Sequence, residues 1–190
     1  MFYMIRCCCP WRYLLKDFPP FTTVQNRFYA WRDSGLWAQI VAVFVMGARE
    51  AEGREAAPTA VVVDSLSVKT TESGGPRGFD AGKKVKGRKR HLAVDTLGLP
   101  IECQITVASV QDRDALAPLL KAVRNSSPWV KMSFVDGGYQ GDEATLGWIN
   151  RARRLSKDFE ATIESALAWL QMALAFLIMR RLARAKIAAD

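Results

Sequence analysis

The chain has 190 residues, 49% hydrophobic and 24% charged, so it can bury a core and is not globally disordered. Its formal charge of +8 favours an acidic partner, nucleic acid ahead of a membrane surface. Four cysteines without a C-x-x-C pair, and one histidine, argue against a structural zinc site and a disulfide framework and point to a reducing cytoplasm.

Residues 1–50 read as helices. Cys7, Cys8 and Cys9 fit a helix as small apolar residues better than they fit a palmitoylation site. Pro19-Pro20 ends one element, Thr22 or Thr23 can cap the next, and Gly35 can stop it. Between them Val24, Phe28 and Trp31 fall on one helical face, and Trp31 and Trp37 read as core. The stretch "EAEGREAAP", Glu50–Pro58, is a charged linker. It sets a boundary near residue 57 between a helical region, 1–57, and a second unit, 58–190. No cleavable signal peptide is expected. The apolar run Ala166–Met179, interrupted by Gln171, is shorter than the ~20 residues of a bilayer span, so a buried or partner-binding helix is expected and no membrane partner.

The stretch "VVVD" reads as a strand, Ala60–Asp64, ending in a carboxylate. A buried carboxylate without a partner is costly, so Asp64 needs a lysine such as Lys69, a capping amide or a metal ion. Thr70–Gly87 reads as a loop, and the basic run 83–90 taken alone as solvated. His91–Asp95 and Leu99–Ala108 flank "TLG" as a β-hairpin, with Asp95 structural in the turn and His91 partly exposed. Asp112–Val123 is an amphipathic helix with acids at its N-terminus. Val130–Asp136 is a second strand ending in aspartate, before Gly137-Gly138. From Glu143 onward the pattern is helical, with an interruption near Asp158. This order of elements predicts a mixed α/β sheet, in which sites gather at strand carboxyl ends, so Asp64 and Asp136 are expected side by side. Two carboxylates repel unless a proton or cation lies between them. Magnesium suits such oxygens, and a third carboxylate, here Glu143, completes a two-metal arrangement.

The segment from "VVVDSLSVKTTESGGPRGFD" through "AGKKVKGRKRHLAVDTLGLP" closely resembles the core of bacterial insertion-sequence transposases of the IS-five family. "SFVDGGYQG" resembles the family's second-aspartate motif and "EATLGWINRARRLSKDFE" its third. "WRYLLKDFPPFTTVQNRFYAWRDSGLW" resembles its N-terminal helical, DNA-binding region. The resemblance covers nearly the whole chain. It implies an α/β, RNase H-like DDE domain, incomplete here, with an N-terminal helical appendage and C-terminal helices. It implies that Asp64, Asp136 and Glu143 are catalytic and hold magnesium or manganese. Lys83, Lys84, Lys86, Arg88, Lys89 and Arg90 would line the path of double-stranded DNA, and Arg151, Arg153 and Arg154 would add phosphate contacts, which position DNA without reading its sequence. The implied activity is DNA transposition: metal-activated water cleaves the phosphodiester at the element's terminal repeats, and the freed 3′-hydroxyl attacks target DNA. The implied setting is the bacterial cytoplasm, beside the nucleoid, and a homo-oligomer is compatible with it.

The chain departs from the family in one region. The family has several dozen residues between the second aspartate and the glutamate; here seven steps separate Asp136 from Glu143. Tyr139 stands where the family has an arginine four residues before the glutamate. The lost strand and helix predict an exposed sheet edge and an unfilled core face. A chain that keeps three acids yet does not transpose is expected, with a non-catalytic DNA-binding remnant or inhibitor as the alternative.

Overall fold

The computed structural model describes residues 1–71, 74–135 and 152–189. The N-terminal segment forms helices α1 (Phe2–Cys7), α2 (Phe21–Asp33) and α3 (Leu36–Ala51). Pro20 is the N-cap of α2; neither Thr22 nor Thr23 caps it, because the helix has already begun at Phe21. Proline needs no backbone partner there and its φ is fixed near the helical value. Gly35, at φ 68, turns the chain between α2 and α3, a conformation that favours glycine. Phe28 is fully buried and stacks on Trp169 with ring centroids 4.6 Å apart, while Trp31 meets Trp37 edge-on at 5.5 Å.

The sheet contains β1 (Ala60–Lys69), β2 (Gly78–Asp80), β3 (Val85–Val94), β4 (Pro100–Val107) and β5 (Met132–Val135). Its order is β2-β3-β1-β5, with β4 also paired to β3. The contacts of β3 with β1, β2 and β4 are antiparallel, and β5 lies parallel to β1. Helix α4 (Asp112–Ser126) supplies the crossover from β4 to β5 that a parallel pair requires. Two expectations change here. Strand β1 does not end at Asp64, because Ser65–Lys69 keep pairing with β3 as far as Gly87. The expected loop Thr70–Gly87 contains β2 and the start of β3.

Alternation along β1 explains its three valines. Val61 and Val63 face α4 and pack with Ala93, Leu119 and Val123. Val62 faces the other layer, where Leu92, Val94 and Leu155 meet α3 and the long helix α5 (Ile163–Ala189). A layer on each face makes a mixed sheet consistent with an incomplete RNase H-like fold. Among the described residues β5 is the last strand on its side. All four of its residues are exposed, Met132 and Phe134 at 57% and 50%.

The expected interruption near Asp158 is present in the C-terminal region. Glu143–Arg151 lies outside the described residues. From Ala152 the chain makes a 3-10 turn at Arg153–Leu155, and α5 begins only at Ile163. Among the described residues one helix, Ile163–Ile187, is long and apolar enough to cross a membrane by length and composition, longer than the apolar run read from the sequence. Half of its most apolar window is buried inside the protein, including Trp169, Leu170, Met172 and Leu174.

Because α1–α3 share one core with α5 and the sheet, residues 1–57 and 58–190 are expected to unfold in one urea transition. Phe28→Ala should lower that stability by about 3–5 kcal/mol, the usual range for removing a buried aromatic ring. Two separate transitions, with only one sensitive to Phe28, would contradict the shared core.

Candidate functional site

Asp64 lies in the middle of β1, 8% exposed and opposite Leu92 of β3. The parallel ladder with β5 pairs Val63 with Val135, so the described part of β5 stops one step short of Asp64's level. Asp136 follows Val135 in the chain, but Asp136, Glu143 and Arg151 lie outside the described residues. Oδ1 of Asp64 accepts the backbone N–H of Ser65 at 2.6 Å. The strand does not bring Lys69 to Asp64, because an odd offset places them on opposite faces. Lys83 donates from Nζ to the backbone carbonyl of the next residue, Ser65, at 3.0 Å. The hard oxygens of an ionised carboxylate are the donors magnesium prefers, so Asp64 fits the role of a ligand. Among the described residues no group of three His, Cys, Asp or Glu side chains is arranged to hold a metal.

The basic run divides in two. Lys83, Lys84 and Lys86 are exposed around the β2–β3 turn. Arg88, Lys89 and Arg90 belong to β3 and are only 0%, 4% and 2% exposed. Alternation sends the two arginines to the α5 face and the lysine to the α4 face. Arg88 pairs with Asp158 at 3.1 Å and donates to the carbonyl of Pro76 at 2.9 Å. Arg90 donates to the carbonyl of Leu155 at 2.8 Å. Lys89 lies 3.2 Å from Asp112 and 3.4 Å from Asp80. The expectation that these three line the DNA path is therefore corrected: each is committed to an internal partner. Arg154 is corrected in the same way. It pairs with Glu160 at 2.6 Å, donates to the carbonyl of Cys9 at 3.2 Å and lies 4.2 Å over the Trp169 ring. Arg153 remains exposed.

A family model for the transposase DDE domain matches residues 55–168. The chain belongs to that family. The model for transposases of the IS4/5 family matches residues 1–41, which carry α1 and α2, so the transposase is of the insertion-sequence type. No curated protein and no solved structure matches the chain. Asp64 and the exposed Lys83, Lys84, Lys86 and Arg153 all fall within the matched DDE region.

Two titrating groups of this transposase sit between β1, β3 and α4. His91 is 2% exposed, not partly exposed as the sequence suggested, and its Nε2 lies 3.0 Å from Thr106 Oγ1. Burial pushes its imidazole down to about 4, with Asp112 opposing the shift and Lys89 and Lys83 adding to it. Burial alone would raise the Asp80 carboxyl. The Ser67 hydroxyl, the Lys83 amide and the Lys89 ammonium together outweigh it and bring Asp80 down to about 2. Sequence reasoning missed Asp80 and Asp158 as partners of the basic strand. The readable signal was the run of alternating residues continuing directly into "HLAVD", which makes the basic segment part of a strand.

Both groups have folded values below their ordinary ones, so both contribute stability at high pH and lose it on acidification. For His91 the loss should run from about pH 6.5 down through about 4; for Asp80 it should run from about 3.8 down through about 2. His91→Gln should flatten the upper window and leave the lower one, read as urea midpoints against pH. A distinct outcome is expected for the arginine: Arg88→Met leaves Asp158 buried without its partner and should cost about 3–5 kcal/mol. The same variant, assayed where it is folded, should bind DNA with an unchanged salt dependence.

Proposed function

We propose that this transposase binds double-stranded DNA and magnesium or manganese but does not complete strand transfer. The observation that carries the reading is the sheet edge at β5, where Met132 and Phe134 stand exposed and, among the described residues, no further strand follows. The interval between Asp136 and Glu143 is only seven steps long. Its sequence, "GGYQGD", contains three glycines and no apolar run that could form a strand. Catalytic constellations must be held within roughly 0.5 Å by packed neighbours, and glycine is conformationally permissive. A misplacement of about 1 Å can cost on the order of a hundredfold in rate.

In this reading Asp64 is the ligand carried by β1, and Asp136 and Glu143 are the other two. The metal, when bound, supplies Lewis acidity toward the phosphodiester and a more acidic water. Lys83, Lys84, Lys86 and Arg153 hold phosphates, with Arg151 as a further candidate. Residues 1–57 add a helical DNA-binding surface to the DDE unit at 58–190. The protein works in the bacterial cytoplasm beside the nucleoid, with a second copy as a compatible partner.

Purified protein with manganese and DNA carrying the element's own ends tests the proposal. Binding should weaken steeply with salt, and Lys84→Ala with Lys86→Ala should reduce the slope of log affinity against log salt by about 2. No strand-transfer product should form. A product that disappears in Asp64→Asn would overturn the inactivity, and an unchanged salt slope would remove these lysines from the DNA path.

A further inference from the structure

Strand β2 carries an aromatic side chain that the fold does not use. Phe79 is 56% exposed and belongs to neither core cluster. Its neighbour Asp80 is buried and accepts the Ser67 hydroxyl at 2.6 Å. Alternation therefore turns Phe79 outward, beside Lys86, its partner across the ladder. Phe79 lines a groove of about 620 Å³ together with Lys69, Thr70, Arg77, Lys84 and Lys86. That volume lies within the roughly 300–1,000 Å³ of small-ligand clefts.

Among the described residues the lining holds four cations and no acid. Its shape is set by the fold. Arg77 donates to the carbonyl of Thr71 at 3.1 Å, and Lys84 sits at φ 53 in a turn that the Lys83 amide closes onto Asp80 at 3.0 Å. A purely apolar partner has no use for the cations, and a phosphate alone has no use for the ring. A nucleotide uses both, with its base on the aromatic face and its flanking phosphates on the lysines. In an intact duplex every base face is already stacked, so the ring needs an unpaired one.

We propose that Phe79, ringed by Lys69, Arg77, Lys84 and Lys86, is a stacking site for one unpaired nucleotide of a bound DNA strand. The proposal rests on the DNA-binding reading above and adds what part of the DNA the groove takes. The test measures affinity of the full chain, by fluorescence anisotropy, for three duplexes: one perfectly paired, one with a single unpaired nucleotide, and one with an abasic residue at that position. The unpaired nucleotide should improve affinity by about fivefold to a hundredfold, the range for stacking one base on an aromatic ring. The abasic duplex, equally bent but without a base, should bind like the paired one. Phe79→Ala should abolish the preference and leave affinity for the paired duplex unchanged, while Phe79→Trp should keep it. Equal wild-type affinities, or a preference that survives Phe79→Ala or appears with the abasic duplex, would overturn the stacking site and leave DNA binding intact. Failure to bind any of the three would overturn both readings.

Discussion

Water is excluded from the ion pair between Arg88 and Asp158, whose side chains are 1% and 2% exposed, and much of the structure hangs on that contact. Asp158 also bonds through its backbone to Lys69 and Thr71, forming an isolated bridge at the end of β1. Arg88 reaches Pro76 and Thr162 as well. One guanidinium thus ties together the central strand, the glycine-containing loop before β2, and the segment that leads into α5. Gly75 allows this closeness, since a Cβ there would overlap the carbonyl of Ala161. With its start fixed, α5 can run back under the sheet and set Trp169 against Phe28.

Burying charge in this way is expensive unless each group is paired and bonded. The chain meets that demand by distributing partners across the sequence: Asp158 for Arg88, Asp80 and Asp112 for Lys89, the Leu155 carbonyl for Arg90, Glu160 for Arg154. The matching is not complete. Nη2 of Arg88 and Nε of Arg90 and Arg154 are buried without a hydrogen bond among the described residues. The net positive charge of the chain is therefore a poor guide to its surface. Part of the basic motif is scaffold, and within it only the residues around the β2–β3 turn are exposed.

Much of the fold was legible in the sequence because local signals sufficed. "TLG" between two apolar runs gave the hairpin, and Asp95 does close it, accepting the amides of Leu97 and Leu99 at 2.9 and 2.8 Å. Its pairing with Arg49 of α3 carried no local signal. The acidic start of α4 and the helical face of Val24, Phe28 and Trp31 were likewise readable from spacing. The length of β1 was obscured by Asp64, since a carboxylate after three valines looks like an end, although "SLSVK" alternates as a strand should. The interior position of Arg88, Lys89 and Arg90 was hidden for a different reason: the partners that neutralise them lie in α4, β2 and the turn before α5. Of the candidate triad, the structure describes Asp64 alone, together with the parallel strand that leads toward Asp136.

Among the described residues β5 ends the sheet, and such an edge has a consequence beyond its own stability. A strand whose outer side lacks a neighbour presents backbone donors and acceptors in register, and apolar side chains beside them make that row a template for other chains. Met132 and Phe134 supply the apolar character, and exposed Lys131 supplies the one charge just ahead of the strand. An uncovered edge strand in a sheet carries two kinds of cost. The first is intramolecular and the same at any dilution. The second is bimolecular and grows with concentration.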